Sequence, residues 1–582
     1  MNDAAGRDRF LKYLAYVLMG ALFLFLFKIS WLKWGNLFTD TFRDPWMVEE
    51  IFHGKVVYRD LYYEYGFLPP YLLAGLCAIF GYHLNVFIFC GAALTIGCSV
   101  LIYRTLRLFI VRFAATLAVC IFLVVFAFGQ YYYQTIFNFI LPYGFASIFF
   151  VLFSLAALFG FLRFILKGKA FYAYLWVAAM VLVFLSRPIM GAFIWLGFLL
   201  PWALAAHKNC FCRAAKASAF LAAPLLIASA AYTVFLSVTQ AWAGFYESIV
   251  QQVTVRSAGM DTGYALRSMG LDYAGFNLLL VIATFAVVMG CVTLLAFAVS
   301  FFTKRNLFVL GLLCFAAAVI VGMFFLMNMD QYRHLPLLAA ALAFWCAYRA
   351  VVSGDSTRYI ALCAVFSLGF FMALRIVLNA KPAGGGFCFL TGALIGYYIF
   401  LFRLLNDFFR AKIKNFSPVK FNFSLAVFFI FINSFYPIVS WTFLLKHTVP
   451  VTGRRGGIIA TDDRTSRVFQ ETVDYLRDHT DENATVTAVP EIGGINFFSQ
   501  RRNILRYYAP TCSFLALCTE EKMVAEFAAK NPDYIVMLLS REPRYGFFGV
   551  DYGIRLSSWI NDHYRLEKKC SGGLMILKKK GG

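Results

Sequence analysis

The chain contains the apolar run FLKYLAYVLMGALFLFLFKI (residues 10–29) and, shortly after it, the stretch FTDTFRDPWMVEEIFHGKVVYRDLYYEYGF (residues 38–67). The first has the length of a helix that crosses the ~30 Å hydrocarbon core of a bilayer. The second holds six of the fourteen acidic residues that precede position 446, namely Asp40, Asp44, Glu49, Glu50, Asp60 and Glu64. We expect a loop that concentrates carboxylates in this way to use them for chemistry or for binding a cation.

Similar apolar runs recur along the chain, which is 61% hydrophobic with a mean hydropathy of +0.72. This pattern predicts a polytopic α-helical membrane protein. We place about thirteen spans near residues 10–29, 84–103, 113–130, 144–163, 171–186, 188–206, 218–238, 276–302, 307–327, 335–350, 359–377, 387–402 and 423–443.

The net charge of +22 sets topology and does not indicate nucleic-acid binding. One alternating set of connections carries 21 Lys and Arg residues, and the opposite set carries 10. The positive-inside rule puts the richer set and the N-terminus in the cytoplasm. An odd number of spans then puts the C-terminal tail outside, together with the loop of residues 30–83, here called the first loop.

The composition divides the chain into a membrane domain (1–445) and a soluble part (446–582), here called the C-terminal unit. Its sequence predicts a helix over Arg464–His479, strands in TVTAVP (485–490) and DYIVMLL (533–539), and a hairpin in YRLEKKCSGGLMILKKK (564–580). We therefore expect a small extracytoplasmic α/β domain. Its three cysteines, Cys512, Cys518 and Cys570, cannot all pair with one another.

Two loops on the outer side are long, the first loop and residues 239–275. The first loop contains FLPPYLLAGLCAIFG (67–81), whose prolines and short length predict an interfacial helix. Asp44 has two interpretations, as the N-cap of a helix whose first turn holds Pro45, or as a functional carboxylate. Glu49 and Glu50 are predicted on the surface of that helix, and Asp40 is predicted to be a bystander.

The segment from Asp44 to Gly81 resembles the GT-C membrane glycosyltransferases. Within these it is most similar to the bacterial relatives of protein mannosyltransferases and lipid A aminoarabinose transferase. The matching points are Asp44, Gly54, Tyr58-Arg59-Asp60, Pro69 and Phe80-Gly81, with looser matches in FNFILPY (137–143), LSRP (185–188), YRHLP (332–336) and NPDYIV (531–536). The resemblance implies a GT-C fold in the inner membrane of a bacterium.

The resemblance further implies that Asp44 is the catalytic base of an inverting transfer. The donor would be a polyprenyl-phosphate sugar, and the acceptor a glycan, a lipid or a protein. Many such enzymes carry a second acidic residue in the second outer loop, but QYYYQTIFNFILPY (130–143) has none. Asp60, Glu64 and His53 leave a divalent cation as an open alternative, and a structural role for His53 is favoured.

Further site residues follow from their chemistry and position. Hydroxyl, amide and charged side chains predicted to bind substrate are Tyr58, Arg59, Asp60, Glu64, Asn138 and Tyr143, with Gln134 as an alternative. Cations predicted to hold the lipid phosphate at the membrane edge are Arg187, Arg333 and His334. Arg333 has a second interpretation as a residue that snorkels to the interface, and Arg256, Arg375 and Lys381 are weaker candidates.

Two other functions remain open. A lipid-linked sugar flippase or transporter usually has ionisable residues near the middle of its spans, and the predicted spans have no Asp, Glu or Lys there. A non-catalytic envelope assembly protein would leave the acidic first loop unexplained. In the C-terminal unit, Glu491, Arg501, Arg502 and Arg506 either line a cleft that faces the membrane or form a solvated surface, which is favoured.

Overall fold

The structure, a computed structural model, describes residues 2–131, 136–208, 214–251, 262–301, 331–511, 514–515, 518–539, 541–542 and 546–581. The described elements up to Leu445 are helices, and from His447 onward they are a mixture of helices and strands. This change falls where the composition turns from apolar to that of a soluble protein.

The membrane domain consists of helices of unequal length. In chain order they are α1 (Asn2–Ile29), α2 (Arg43–Phe52), α3 (Leu68–Phe80), α4 (Leu84–Leu106), α5 (Arg112–Ile121), α6 (Phe145–Lys167), α7 (Ala170–Ser186), α8 (Pro188–His207), α9 (Ala214–Thr239), α10 (Trp242–Phe245), α11 (Thr262–Met269), α12 (Ala274–Phe301), α13 (Leu335–Val352), α14 (Ser356–Ala373), α15 (Leu390–Ile399), α16 (Leu405–Lys412) and α17 (Pro418–Leu445). Short π-helical segments occupy Phe122–Ala127, Tyr246–Gln251 and Phe400–Leu404, and 3₁₀ turns occupy Leu374–Ile376 and Phe387–Phe389.

Ten helices in the described part of the chain are long and apolar enough to cross a membrane. Twelve of the thirteen predicted spans coincide with helices, and the remaining one, at 307–327, lies outside the described residues. Two of the twelve, Arg112–Ala127 and Ala170–Ser186, are shorter than the ten. The chain is therefore a polytopic α-helical integral-membrane protein.

A sharp corner separates α7 from α8 and positions Arg187. Pro188 is the first residue of α8, where its fixed φ and missing N–H are tolerated. The residue before a proline is pushed out of the helical region, and Arg187 has φ −150° and ψ 89°. The sequence Ser-Arg-Pro therefore ends one helix, begins the next, and fixes the arginine between them.

The first loop contains two short helices. The prediction of a short helix after Phe67 is confirmed by α3, whose 13 residues span too little to cross a bilayer. The other helix, α2, is buried from Arg43 to Glu50 although half of these residues are polar or charged. Its burial comes from contact with the C-terminal unit, because Phe42 packs against Phe497 and Phe498 at ring distances of 5.2 and 5.3 Å.

The C-terminal unit is a small α/β fold. Its elements are β1 (His447–Gly453), β2 (Gly456–Thr461), α18 (Arg464–His479), β3 (Val486–Val489), α19 (Gly493–Ser499), α20 (Glu520–Lys530), β4 (Tyr534–Leu538), β5 (Arg541–Glu542), β6 (Gly546–Phe547), α21 (Ile554–His563), β7 (Tyr564–Lys569) and β8 (Leu574–Lys579). A four-stranded sheet has the order β3-β4-β8-β7, with β3 and β4 parallel and the other pairs antiparallel. The predicted helix, strands and terminal hairpin are confirmed, and the β1–β2 hairpin was not predicted.

Backbone hydrogen bonds join the C-terminal unit to the first loop and the start of α4. The amide N–H groups of Ile459 and Gly494 donate to the carbonyl oxygens of Leu32 and Leu37, at 2.7 and 3.2 Å. In the opposite direction, the N–H groups of Tyr62 and Leu84 donate to the carbonyl oxygens of Arg506 and Arg455, at 3.0 and 2.8 Å. Segments joined in this way lie on the same side of a membrane, so an even number of spans must separate the first loop from the C-terminal unit.

Gly66 allows the first loop to approach the end of α7. Its N–H donates to the Ser186 carbonyl oxygen at 2.9 Å, and a methyl group on its Cα would overlap the carbonyl group of Leu185. We expect Gly66→Ala to push the loop away and to cost on the order of 1–3 kcal/mol of stability, as overpacking does. The measurement is the thermal unfolding midpoint of the purified protein in detergent.

The control for Gly66→Ala is Gly75→Ala in α3, where an added methyl group would meet no atom within 4 Å. That substitution replaces a helical glycine by a better helix former, so its midpoint should stay the same or rise. Equal midpoints for the two variants would contradict the close approach.

Candidate active site

Asp44 does not cap its own helix. Phe42 is the N-cap of α2 and makes no side-chain capping bond, so Asp44 lies inside the first turn and the N-cap interpretation is wrong. Its Oδ2 instead accepts a 2.7 Å hydrogen bond from the N–H of Phe145, the first residue of α6. A carboxylate is well placed there, because the first N–H groups of a helix lack partners and carry partial positive charge.

The carboxylate of Asp44 is buried, and its second oxygen, Oδ1, is not exposed to solvent. Burial raises the pKa of Asp44, and the positive charge of Arg43, the N–H of Phe145 and a hydrogen bond from the Tyr63 hydroxyl oppose that rise. The buried phenol of Tyr63 lies beside it, since the charge of Asp44 adds to burial in raising the pKa of Tyr63. Such a carboxylate is a stronger base than an exposed aspartate.

Arg43 forms ion pairs with two acidic residues near Asp44. Its guanidinium lies 3.3 Å from Asp40 and 3.4 Å from Glu64, and donates to the Tyr143 carbonyl oxygen at 2.8 Å. It also lies over the ring of Tyr65, with 5.2 Å between Cζ and the ring centroid. Asp40, predicted to be a bystander, is paired with the residue next to Asp44.

Arg187 reaches the same tyrosine as Arg43. Its Cζ lies 4.3 Å from the Tyr65 ring centroid, and its Nη1 donates to Ser147 at 2.9 Å. The residue is only 5% exposed, and none of the described carboxylates forms an ion pair with it. A buried guanidinium without a carboxylate partner is costly unless an anion can approach it. Its planar fork suits a phosphate group.

Tyr143 is linked to both Arg43 and Arg187, to the first through its carbonyl oxygen and to the second through Ser147. Its hydroxyl donates to the Gly385 carbonyl oxygen at 2.9 Å and accepts from Ser147 at 3.3 Å. Burial raises the pKa of Tyr143, while the charges of Arg187 and Arg375 lower it, so Arg375 also lies near this site. Arg375 is one of the three weaker phosphate-binding candidates predicted from the sequence.

Asn138 is a buried residue that holds the backbone leading to Tyr143. It is fully buried, and its Oδ1 accepts hydrogen bonds from the N–H groups of Ile140 and Leu141 at 2.9 and 2.8 Å. An Asn side chain that bonds to the backbone two and three residues on stabilises a turn. This turn leads the chain towards Tyr143 and the start of α6. Gln134 lies outside the described residues.

Three predicted substrate-binding residues have partners away from Asp44. The Tyr58 hydroxyl is buried and donates to the Tyr65 carbonyl oxygen at 2.5 Å. Asp60 accepts hydrogen bonds from Arg59 and from the N–H of Val56, and Arg59 is exposed. Among the residues that we predicted to bind substrate, the structure therefore brings Glu64 and Tyr143 to the Asp44 site, supported by Asn138.

Arg333 and His334 form a second polar position at the start of α13. Arg333 is buried and donates to the side-chain oxygens of Asn277 and Asn379, each at 3.2 Å. His334 is also buried, and neither of its ring nitrogens makes a hydrogen bond to a described residue. The position of Arg333 between two amides does not match a side chain that snorkels into solvent.

Glu49 and Glu50 are buried, so the prediction that they form a helix surface is wrong. Glu49 pairs with Arg455 at 2.8 Å. Glu50 has no exposed surface and forms two parallel 3.1 Å hydrogen bonds with Arg502, together with an ion pair to Lys55 at 2.5 Å. Both carboxylates therefore receive their arginine partners from the C-terminal unit.

The favoured prediction of a solvated surface in the C-terminal unit is also wrong for most of its residues. Glu491 accepts a 2.6 Å hydrogen bond from the N–H of Asp40, and Arg506 pairs with Glu247 at 2.7 Å. Arg501 is buried inside the unit, where it bonds to Thr480. The C-terminal unit thus forms one wall of the Asp44 site.

No group of three or more His, Cys, Asp or Glu residues with metal-binding geometry occurs in the described part of the chain. His53 is exposed, and its Nδ1 bonds to the Glu49 carbonyl oxygen at the end of α2. Cys518 and Cys570 are buried free thiols, and Cys512 lies outside the described residues.

The chain is thus a polytopic integral-membrane protein in which a buried aspartate, Asp44, lies in a loop that contacts a small α/β unit. No protein-family model matches the chain, and a search of curated proteins gave no match. Among solved structures, the oligosaccharyltransferase of Archaeoglobus fulgidus in complex with Zn and sulfate is similar with a TM-score of 0.48 and 15% identity, over 90% of this chain and 68% of its own. ArnT from Cupriavidus metallidurans bound to undecaprenyl phosphate is similar with a TM-score of 0.43 and 12% identity, over 97% of both chains.

The Glu49–Arg455 pair should be needed for docking of the C-terminal unit. We expect Arg455→Ala to cost on the order of 3 kcal/mol, because it leaves the Glu49 carboxylate buried without its partner. The thermal unfolding midpoint measures this, and adding Glu49→Gln to Arg455→Ala should restore most of the loss.

The matched control for this prediction is Arg467→Ala, which removes an exposed ion pair with Asp462. Exposed pairs contribute at most about 1 kcal/mol, so its midpoint should change little. A similar small change in Arg455→Ala would show that the Glu49–Arg455 pair does not hold the unit.

Proposed function

We propose that the protein is an inverting glycosyltransferase that moves a sugar from a polyprenyl phosphate to an acceptor hydroxyl. The reaction would take place at the outer face of a bacterial inner membrane, with the N-terminus in the cytoplasm. The observation that carries the proposal is that the guanidinium groups of Arg43 and Arg187 both lie over the ring of Tyr65. Arg43 adjoins the buried carboxylate of Asp44, and Arg187 is a buried cation that has no described carboxylate partner.

This geometry supplies the two groups that such a transfer needs within one site. Asp44 can take a proton through Oδ1 while Oδ2 stays bound to Phe145. Arg187 can bind the phosphate that carries the sugar, with Arg375 adding positive charge nearby. The membrane spans around the site suit a donor with a long hydrocarbon chain. The motif resemblance of Asp44–Gly81 to GT-C glycosyltransferases supports the same reaction.

In the proposed step, the acceptor oxygen attacks the anomeric carbon while its proton passes to Asp44 Oδ1. The bond between the anomeric carbon and the phosphate oxygen breaks, and the polyprenyl phosphate leaves with the bonding electrons. Arg187 stabilises the negative charge that remains on the phosphate. Attack from the face opposite to the leaving group inverts the anomeric configuration.

Arg333 and His334 are assigned a supporting role in donor binding. Their position at the start of α13 offers a second buried cation and an imidazole without described hydrogen-bond partners. A metal ion is not assigned a role in the proposed step, because Asp44 and Arg187 supply the base and the counter-charge.

Replacing Asp44 tests the base directly. We expect Asp44→Asn to lower the rate of sugar transfer by about 10²–10⁴-fold, which is the usual contribution of a positioned base. The Asn side-chain oxygen can still accept from Phe145, so the fold should be kept. The assay uses purified protein with defined undecaprenyl-phosphate sugars, and Asp478→Asn on the exposed surface of α18 is the control.

The pH dependence of the transfer rate, compared between the wild type and Asp44→Asn, gives a second test of the base. Because burial raises the pKa of Asp44, the rate should fall as the pH drops through a value above that of an ordinary aspartate. The residual rate of Asp44→Asn should lack this limb. Full turnover by a folded Asp44→Asn protein would refute the assignment, and lipid transport across liposomes without sugar transfer would favour a flippase.

Replacing Arg187 tests the phosphate site. We expect Arg187→Gln to raise the KM for the lipid-linked donor by about tenfold or more, since a charge-assisted hydrogen bond is lost. Arg187→Lys should retain part of the binding because it keeps the charge but not the planar fork. Arg477→Gln, in an exposed pair with Asp478, is the control, and an unchanged donor KM in Arg187→Gln would contradict this role.

A further inference from the structure

The C-terminal unit places a carboxylate next to the start of α2. Glu491 follows β3 and precedes α19, and its Oε1 accepts the N–H of Asp40 at 2.6 Å. Asp40 in turn pairs with Arg43. A residue 451 positions away in sequence therefore adds a carboxylate to the group formed by Asp40, Asp44 and Glu64.

The same unit places Tyr508 against this group. Its ring packs on Trp46 at 5.6 Å, and the residue is 7% exposed. Its hydroxyl is buried and makes no hydrogen bond to any described residue. Burial raises the pKa of Tyr508, the charges of Glu491, Asp40 and Asp44 raise it further, and Arg43 lowers it. The hydroxyl therefore lies among the acidic side chains of the site.

A buried hydroxyl without a partner costs free energy, and a bound ligand that hydrogen-bonds to it removes that cost. The buried carboxylate of Asp44 lies near the same acidic residues and can accept a further hydrogen bond. A polar ligand that contacts both α2 and the C-terminal unit would therefore find a donor in Tyr508 and an acceptor in Asp44.

The charges of the site are divided between two ends. The acidic end consists of Asp40, Glu64 and Asp44 next to Arg43, together with Glu491, which bonds to Asp40. The other end holds Arg187 and Arg375 near Tyr143, and Arg43 connects the two ends through its bond to the Tyr143 carbonyl oxygen. The acidic end repels an anionic acceptor group. Carboxylates accept hydrogen bonds well from O–H donors, and a neutral sugar ring presents several of them in a fixed geometry.

We propose that Glu491 and Tyr508 bind the acceptor, that this acceptor is a neutral glycan, and that its neighbouring hydroxyls contact these two residues while one hydroxyl faces Asp44. The C-terminal unit then determines which acceptor is used. This assignment rests on the proposed glycosyltransferase function, because it takes the acidic end of the site to be the acceptor side.

The experiment measures binding of methyl glycosides of neutral hexoses to the full-length protein in nanodiscs, by saturation-transfer NMR. Glu491→Gln keeps an oxygen that can accept from Asp40, and Tyr508→Phe keeps the ring that packs on Trp46. Each variant should bind the glycosides about tenfold more weakly or worse, with an unchanged unfolding midpoint. Glu471→Gln, which alters an exposed pair with Lys568, should bind as the wild type does.

Binding of undecaprenyl phosphate should stay unchanged in Glu491→Gln and Tyr508→Phe, since a general distortion of the site would weaken it as well. The inference is overturned if no methyl glycoside binds the wild type, if both variants bind glycosides as the wild type does, or if both ligands are weakened equally.

Turnover of undecaprenyl-phosphate sugars, measured separately, judges the proposed function. If the donor is consumed while the two variants bind glycosides normally, the transferase function stands and the acceptor assignment is wrong. If glycosides bind through Glu491 and Tyr508 while none of the tested donors loses its sugar, the glycan site stands and the proposed reaction is wrong.

Discussion

The pairing of Glu50 is the constraint on which the rest of the structure depends. This carboxylate has no exposed surface, and a buried carboxylate is tolerated only when it is paired and hydrogen-bonded. Lys55 supplies one partner from the same loop, and Arg502 supplies two parallel hydrogen bonds from 452 residues further along the chain. The first loop and the C-terminal unit therefore reach their final positions together.

The positions of the site residues follow from this docking and from two helix ends. Asp44 is held by the first N–H of α6, and Arg187 is held in the corner that Pro188 forces between α7 and α8. Tyr65 connects the two, since both Arg43 and Arg187 lie over its ring. Asp44 and Arg187 are therefore both held near Tyr65 by the ends of helices.

Local signals in the sequence were sufficient for the twelve predicted spans that lie in the described residues, for α3, and for the two predicted strands and the terminal hairpin of the C-terminal unit. Hydropathy, proline position and residue alternation report directly on the local environment. The same reasoning was wrong for Glu49 and Glu50, because their burial depends on Arg455 and Arg502, more than 400 residues away. A local pattern carries no information on such partners. The excess of arginine in the C-terminal unit is the available signal, but it also fits a solvated surface.

The dependence of Glu50 on Arg502 has a consequence for biosynthesis. A chain made from its N-terminus delivers the first loop to its side of the membrane long before residue 502 is synthesised. During that interval α2 lacks Arg455 and Arg502, and only Lys55 is present to pair with Glu50. A chain that stops within the membrane domain would leave Asp44 without the wall that the C-terminal unit supplies. The site is therefore complete only after the last part of the chain has been made and has reached the same side of the membrane.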